Sequence, residues 1–399
     1  MISTSLALQK LLKLAKEKDK ESICIQDCSD RVLATSLVAN HDQPPFCASA
    51  MDGYAIKKQS KVNGAKFKIV GQSAAGDNYK GKIKLNEAVR IFTGAPVPEG
   101  ADCVIIQEDV YLKNEYLIVN QNRKNNFVRE KGSDFSKGYT LKAPVKILPA
   151  MVSLIASMNY NSVSVYQKPS VAIITTGNEL VEPGGNMPPN KIIASNSYGL
   201  AAMLKSFGAD PKIFPIVSDN MKAIKQKLEL ASKFDLILTI GGVSVGKYDL
   251  VLQSAESSGL KLAFHKVAMK PGKPLLAGQI NKSILIGLPG NPISSLLTCY
   301  TMVKPVIEKM LGLNESDKKL RLFAQLGANL EKNGKREHFQ RAILKCENEN
   351  LVVYPMQKHD SSLITEFNRS NSIIKRAPDA PAKVPGQTVE VIPFYAKFC

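Results

Sequence analysis

The stretch SILIGLPGNPISSLL, residues 283–297, changes character in its middle. It begins as an apolar run that continues to Leu288, and after Pro292 it takes on the pattern of a helix. Asn291 is a good N-cap and Pro292 suits the first helical position, so the sequence predicts a buried strand that turns rigidly into a helix. Because a helix N-terminus presents unpaired backbone N–H groups and the positive end of a dipole, we expect this turn to attract an anion.

The same transition recurs along the central part of the chain. Apolar, β-branched runs end in Thr-Thr-Gly at 175–177, in Gly-Gly at 241–242 and in Pro-Gly at 289–290, and helix-like segments separate them. Strands that alternate with helices predict a parallel sheet with helices on both faces, which makes a three-layer α/β domain. Ligands bind such sheets outside the carboxyl ends of the strands, so we expect the three turns to share one ligand-binding edge.

The regions on either side are rich in strand patterns. Short β-like runs with recurring glycines fill residues 43–138, where helical periodicity is largely absent. The chain becomes β-like again after residue 318, with runs such as KLRLFAQLG and NLVVYPM. We therefore predict a multi-domain α/β plus β protein with a small β-domain before the α/β domain and a barrel or sandwich after it.

The composition excludes several classes of protein. The chain has 399 residues, of which 44% are hydrophobic and 22% charged, as in multi-domain globular proteins. No apolar run is long enough for a membrane helix, and lysines interrupt the N-terminal segment, which does not resemble a signal peptide. The seven cysteines are scattered, which favours reduced thiols and a cytoplasmic location. The four histidines form no close pair, which argues against a zinc site.

The net charge of +18 has three interpretations. It is compatible with a nucleic-acid partner, with a polyanionic small substrate, or with a lysine-rich protein that binds neither. The lysines are spread along the whole chain, without an arginine-rich tail or aromatic residues interleaved with basic ones. We therefore expect no nucleic-acid partner.

Acidic side chains follow the predicted strands. Glu179 comes after the first strand, Asp219 follows IVS, and Asp249 closes the loop GGVSVGKYD. Carboxylates at strand ends are candidate ligands for Mg²⁺ or for a substrate hydroxyl. The alternative for Asp219 is the N-cap of the following helix.

Two further segments are suited to anions. In the loop 241–249, Gly241 and Gly242 allow the backbone to approach a ligand and Ser244 offers a hydroxyl, although a tight structural turn has the same composition. Lysines accompany the rigid Pro271-Gly272 turn in HKVAMKPGKPLLAG, and they suit an oxyanion or a phosphate. They are Lys266, Lys270 and Lys273. The alternative is a set of solvated surface lysines.

Six strings together identify a family. SAMDGYA, FTGAPVPEGAD, TTGNEL, GGVSVG, KPGKP and GLPGNP, in this order, closely resemble the molybdopterin molybdenumtransferase family, which includes MoeA and the gephyrin E domain. The resemblance covers nearly the whole chain and implies an elongated homodimer of four-domain subunits with a central molybdopterin-binding fold. The implied domains are an N-terminal linker and dimerisation domain at 1–42 with 139–168, an inserted β-domain at 43–138, the α/β domain at 169–317 and a C-terminal β-barrel domain at 318–399.

The resemblance also implies a reaction. Molybdate is inserted into the dithiolene of adenylylated molybdopterin with the help of Mg²⁺, AMP is released, and active molybdenum cofactor results. The adenylyltransferase of the preceding step and the molybdoenzymes that receive the cofactor are possible partners. Two alternatives remain open, namely an adenylyltransferase-like activity and a diverged, non-catalytic scaffold that binds the pterin.

The resemblance in these motifs also implies which residues form the site. The resemblance implies a catalytic set of Asp52, Thr93, Glu179, Asp219 and Asp249, with Mg²⁺ near the last three. It implies a set for pterin, phosphate and molybdate of Gly241, Gly242, Ser244, Lys266, Lys270, Pro271, Lys273, Pro289, Asn291, Pro292, Arg336, Arg341, Ser361 and Asp134. The resemblance further implies that the site is shared between the two subunits of the dimer.

The chain departs from the usual family pattern at several positions near this site. Cys47 and Ala48 stand where Asp-Asn is usual, Asn178 and Ala194 where acids are common, and Lys247 where Asp is frequent. Each change removes negative charge or adds positive charge, which weakens a Mg²⁺ site or marks a diverged paralogue. We expect an active enzyme, because the acidic residues of the catalytic set are all retained.

Overall fold

The computed structural model describes residues 1–242, 250–313, 322–358 and 360–394. Ser244, Lys247 and Asp249, which the sequence assigns to the site, lie outside these ranges. Within the ranges, no helix has the length and apolar character needed to cross a membrane.

The helices are short, and most of them flank the central sheet. They are α1 Thr4–Leu14, α2 Pro149–Ser157, α3 Asn196–Ser206, α4 Met221–Ala231, α5 Leu250–Ser257, α6 Pro292–Thr298, α7 Lys304–Met310 and α8 Ile364–Arg369. The π-helical segment Cys299–Val303 joins α6 to α7. Short 3₁₀ turns span Ile25–Asp27, Lys58–Ser60 and Gln107–Asp109.

The strands dominate the rest of the chain. They are β1 Lys20–Cys24, β2 Val32–Leu33, β3 Leu37–Val38, β4 Ala48–Ser49, β5 Gly53–Ile56, β6 Lys66–Ser73, β7 Glu87–Ile91, β8 Cys103–Ile106, β9 Val110–Lys113, β10 Tyr116–Val119, β11 Val128–Arg129, β12 Thr140–Leu141, β13 Val145–Lys146, β14 Ser162–Tyr166, β15 Ser170–Thr175, β16 Leu180–Val181, β17 Ile192–Ile193, β18 Asp210–Ile213, β19 Leu236–Ile240, β20 Lys261–His265, β21 Met269–Lys270, β22 Leu276–Ile280, β23 Ser283–Leu288, β24 Leu322–Leu326, β25 Glu337–Glu347, β26 Asn350–Pro355, β27 Ser372–Arg376 and β28 Thr388–Pro393.

The central sheet has the strand order β18-β15-β19-β23-β22-β20. Its first four strands are parallel, as the sequence predicts. The expected parallel pairing does not extend to β22 and β20, which run antiparallel to their neighbours. Here Ile280 pairs with Ser283, so β22 and β23 form a tight hairpin that needs no crossover helix.

Apolar side chains cover both faces of this sheet, because successive strand residues point to opposite sides. Ile173 and Leu238 face one core, which α1, α3 and α6 complete. Ile174 and Ile237 face the second core, which α4 and α5 complete. The expected three-layer α/β arrangement is confirmed, and it fixes the carboxyl ends of four parallel strands at one edge.

The other large sheets belong to the flanking regions. A four-stranded sheet, β1-β14-β2-β13, joins the first forty residues to the segment after residue 140. A six-stranded sheet, β8-β5-β7-β6-β10-β9, forms the small β-region. In the C-terminal region, β25-β26-β24-β28-β27 closes on itself through pairing of β25 with β27, which confirms the expected barrel. The exact domain boundaries stay a prediction.

Candidate functional site

The turns that follow three parallel strands lie side by side. The backbone N–H of Gly241 donates to the carbonyl oxygen of Leu288, and that of Thr176 donates to Ile240. Gly241 and Gly242 have φ values of 83° and 65°, and a Cβ at Gly242 would lie 2.5 Å from a methyl carbon of Val251. Glycine is therefore required at this point, and neither residue has a side chain that would keep a ligand away from its backbone.

The turn between β23 and α6 differs in one respect from the expectation. Asn291 is the N-cap residue and Pro292 begins the helix, but the Asn291 side chain makes no capping bond. Its Nδ2 instead donates to Ser361 Oγ at 2.9 Å. The backbone N–H of Ile293 donates to the carbonyl oxygen of Ser361 at 3.0 Å, so this amide is not free for an anion.

A cavity of about 250 Å³ opens beside this turn, between the Pro271-Gly272 segment and the barrel. The lining includes Ser294 of α6 and the half-buried Met356. Six residues that the sequence assigns to the oxyanion side lie in this cleft: Lys270, Pro271, Lys273, Arg336, Arg341 and Ser361. Since four of them are cationic, the cleft is suited to a small anion.

Arg341 is the most buried cation of the cleft, with 6% of its surface exposed. Its Nη2 donates to the carbonyl oxygens of Lys358 at 2.8 Å and Asp360 at 3.1 Å. Its Nη1 is buried without a hydrogen-bond partner among the described residues. Burial lowers the pKa of Arg341, although the carboxylates of Glu366 and Asp360 oppose this effect. A buried N–H without an acceptor costs about 1–3 kcal/mol, which an anion in the cleft would relieve.

The acidic edge of the sheet comprises the turns that carry Asn178, Glu179 and Asp219, and two of these residues form a reciprocal pair. The Asn178 N–H donates to Asp219 Oδ2 at 3.1 Å, and the Asp219 N–H donates to Asn178 Oδ1 at 3.1 Å. Asn220, rather than Asp219, caps α4 by accepting from the N–H groups of Lys222 and Ala223, so the alternative role for Asp219 is wrong.

Of the three Mg²⁺ ligands that the family resemblance implies, Glu179 and Asp219 lie within the described residues. Glu179 follows Asn178 directly, and its carboxylate lies over Gly177, where an added Cβ would be 2.8 Å from Oε1. Across the described ranges, no three His, Cys, Asp or Glu side chains are grouped to hold a metal ion. Mg²⁺ is commonly held by one or two carboxylates together with substrate phosphates, and Glu179 and Asp219 fit that arrangement.

Lys191 reaches the same edge, and sequence reasoning missed it. Its Nζ donates to the carbonyl oxygen of Asn178. The parallel pairing of β16 with β17 brings the two residues together across the intervening loop. This lysine adds positive charge beside Asn178, and it is suited to a phosphate.

Asp52 and Thr93 form a second pair, on the small β-region. Asp52 Oδ1 accepts from the Thr93 N–H at 2.7 Å and from Thr93 Oγ1 at 2.8 Å. Neither residue lines the cleft, and no described hydrogen bond joins them to the acidic edge. The exposed Asp134 and the half-buried Lys266 also lie outside the cleft lining, as do Pro289 and Pro292.

Comparison with known families covers almost the whole chain. Residues 2–159 match the MoeA N-terminal region (domain I and II), residues 172–309 match a probable molybdopterin binding domain, and residues 324–394 match the MoeA C-terminal region (domain IV).

Three relatives with similar sequences share one name. The molybdopterin molybdenumtransferase of Nostoc sp. is 35% identical over 82% of this chain and 78% of its own length. The enzyme of that name from Haemophilus influenzae is 31% identical over 99% of both chains, and that from Bacillus subtilis is 30% identical over 97% of this chain and 92% of its own.

Solved structures resemble the whole chain as well. Two structures of the molybdopterin biosynthesis MoeA protein from Pyrococcus horikoshii superpose with TM-scores of 0.81 and 0.84, at 27% and 25% identity. Each comparison covers 99% of this chain and 100% of the other. The similarity therefore extends through all the sheets described above.

Proposed function

This chain belongs to the molybdopterin molybdenumtransferase family, and we propose that it inserts molybdate into the dithiolene of adenylylated molybdopterin with release of AMP. It is a transferase of molybdenum cofactor biosynthesis whose substrates are molybdopterin and molybdate. The observation that supports the finer proposal most directly is the Nη1 of Arg341, which is buried in a cation-lined cleft beside the strand ends and has no hydrogen-bond partner among the described residues.

The cleft is proposed to bind molybdate, the oxyanion substrate. Lys270, Lys273 and Arg336 supply positive charge around it, and Arg341 supplies a fixed donor that is already desolvated. Charge-assisted hydrogen bonds of this kind hold an oxyanion in one orientation. Molybdate bound here would stand next to the turn at Asn291, at the edge where parallel sheets bind their ligands.

The strand ends are proposed to bind the adenylylated pterin. Bare backbone at Gly241 and Gly242 allows close approach, and Lys191 offers a cation for a phosphate. Glu179 and Asp219 would hold Mg²⁺ together with that phosphate, where the ion would neutralise phosphate charge. Asp219 is already oriented for this by its bond from Asn178.

Asp52 and Thr93 are proposed to act across a homodimer. The family resemblance implies that the small β-region of one subunit faces the α/β domain of its partner. The two hydrogen bonds from Thr93 fix the Asp52 carboxylate before any substrate arrives. Such a preformed carboxylate is suited to accept a proton or to orient a substrate group.

The adenylyltransferase-like alternative is disfavoured, because the Haemophilus relative named molybdenumtransferase aligns over 99% of the chain, including its flanking β-regions. A non-catalytic scaffold is the remaining rival. Purified protein mixed with adenylylated molybdopterin, molybdate and Mg²⁺ is expected to release AMP in proportion to molybdate and to activate an apo-molybdoenzyme.

The outcomes of that experiment separate the rivals. AMP-forming turnover that requires molybdate supports the proposal. Consumption of ATP with molybdopterin, and no molybdate-dependent AMP release, would identify an adenylyltransferase. Tight retention of the pterin without either reaction would identify a scaffold.

A further inference from the structure

Ser361 is held by the α/β domain at two of its atoms. Asn291 Nδ2 donates to its hydroxyl oxygen at 2.9 Å, and the Ile293 N–H donates to its carbonyl oxygen at 3.0 Å. Asn291 lies at the end of the central sheet, whereas Ser361 belongs to a loop of the C-terminal region, seventy positions later. The cleft therefore has one wall whose position depends on the turn that ends β23.

The chemistry of the two side chains sets the direction of the hydroxyl hydrogen. An amide NH₂ group can only donate, so Ser361 Oγ must be the acceptor in this bond. A hydroxyl has one hydrogen to donate, and no acceptor for it is found on the described residues. Since Ser361 lines the cleft, that hydrogen is available to an anion inside it.

We propose that Asn291 is a positioning residue for the oxyanion substrate: by occupying a lone pair of Ser361 Oγ, it directs the Ser361 hydroxyl hydrogen at molybdate in the cleft. This rests on the proposed function, which places molybdate there. It assigns to Asn291 a role through Ser361, in place of the direct contact with the substrate that sequence reasoning expected.

The rest of the loop is anchored independently of Asn291. Arg341 Nη2 holds the carbonyl oxygens of Lys358 and Asp360, and the Asp360 carboxylate accepts from the N–H and the hydroxyl of Ser362. Removal of the Asn291 amide therefore frees the Ser361 hydroxyl to rotate and leaves the loop in place. The effect is expected on affinity for the anion, with little change in folding.

A double-mutant cycle on the full chain tests this inference. Molybdate affinity is measured by calorimetry with sodium molybdate alone, and the molybdate KM and kcat by AMP release. Because a hydrogen bond to a charged group is strong, Ser361→Ala is expected to weaken molybdate binding roughly tenfold and Asn291→Ala about three- to tenfold. The double variant is expected to match Ser361→Ala, since coupled residues are not additive.

Two further variants serve as a second test of Asn291 and as a control for the turn. Asn291→Asp places a carboxylate that accepts from Ser361, turns the hydroxyl away and repels an anion, so it is expected to weaken binding more than Asn291→Ala. It also has nearly the shape of asparagine, so it carries the test if Asn291→Ala is unstable. Asn196→Ala removes the bond from Asn196 Nδ2 to the Gly290 carbonyl oxygen at 2.7 Å in the same turn, and molybdate affinity is expected to change less than about twofold.

The possible failures are distinguishable. Additive effects of Asn291→Ala and Ser361→Ala, or a loss in Asn196→Ala as large as in Asn291→Ala, would overturn the inference and leave the proposed function standing. If Ser361→Ala and Arg341→Gln both bind molybdate like the wild type, the cleft is not the oxyanion site and the proposed function itself loses its support.

Discussion

The Asp52 carboxylate accepts two hydrogen bonds from Thr93, from the backbone N–H at 2.7 Å and from the hydroxyl at 2.8 Å. Both bonds lower the pKa of Asp52, and the bond from the backbone N–H has the larger effect. The positive charge of Arg90 lowers this pKa as well. The Arg90 guanidinium lies 4.9 Å from the centre of the Tyr54 ring and 5.0 Å from that of Phe92. Asp52 is thus an ionised, oriented carboxylate at neutral pH.

Loss of this carboxylate is expected to abolish activity without unfolding the protein. For Asp52→Ala we expect AMP release to fall by about 10²–10⁴-fold, the usual contribution of a positioned acid–base group. Thr93→Ala, which removes one of the two bonds, is expected to lose less, and Thr93→Ser to retain most activity. Thermal unfolding should be nearly unchanged, because Thr93 is exposed and Asp52 only half-buried. Wild-type turnover by Asp52→Ala would refute the assignment.

Arg341 is expected to be irreplaceable by lysine. A lysine ammonium has no planar fork, so Arg341→Lys cannot both hold the carbonyl oxygens of Lys358 and Asp360 and present a second nitrogen to the cleft. We expect the molybdate KM to rise about tenfold or more, which corresponds to about 1.4 kcal/mol.

The matched control for this substitution is Arg369→Lys. Its side chain is 72% exposed and pairs with Glu366 on the same helix, at 3.4 Å. The molybdate KM of the control should match that of the wild type. Equal effects of the two substitutions would show that Arg341 has no special role in the cleft.

The positions of the described turns at the ends of the parallel strands follow from the sequence, and the reason is local. Each turn there follows its own strand directly, so strand periodicity alone places Glu179 and Gly241 at the carboxyl ends. The two antiparallel strands, β22 and β20, were not predicted because a tight hairpin, rather than a helix, joins β22 to β23. An apolar run such as SILIGL has the same pattern in either direction.

The contacts that complete the site depend on tertiary structure. Nothing near Asn291 in the sequence indicates that its amide binds Ser361, because a loop from the barrel supplies the partner. Likewise, Lys191 reaches Asn178 only through the pairing of β16 with β17. Local rules therefore assigned Asn291 to helix capping, and they left Lys191 among many surface lysines.

An acidic side chain at position 178 is expected to strengthen the proposed Mg²⁺ site. Asn178→Asp keeps the oxygen that accepts from the Asp219 N–H and adds a negative charge beside Glu179. The Mg²⁺ concentration for half-maximal activity is expected to fall by about three- to tenfold, because ligand charge raises affinity for a hard cation.

This Mg²⁺ titration is compared with that of Asn281→Asp, which adds the same charge to the exposed turn between β22 and β23. The control should leave the Mg²⁺ requirement unchanged. If Asn178→Asp has no effect, or raises the requirement, then Glu179 and Asp219 do not hold the ion.

Asp235 is expected to make the stability of the α/β domain sensitive to acid. Burial raises the pKa of Asp235, but bonds from Lys18 Nζ at 2.7 Å and from the N–H and hydroxyl of Ser170, each at 2.8 Å, outweigh it and lower the pKa overall. A carboxyl whose pKa is lower in the folded state stabilises the fold above its unfolded pKa of about 3.9. That stabilisation is lost as the pH falls through the folded pKa.

Replacement of this carboxylate tests the argument by urea unfolding at pH 7 and again below pH 4. Asp235→Asn is expected to cost about 1.5–3 kcal/mol at pH 7, the contribution of hydrogen bonds to a charged group, and to unfold with a weaker dependence on acid than the wild type. Asp379→Asn, at an exposed turn, should behave like the wild type at both pH values. Asp235→Asn removes the one charge that Lys18 and Ser170 stabilise at this position. If the variant unfolds with the same acid dependence as the wild type, other carboxylates control the acid unfolding.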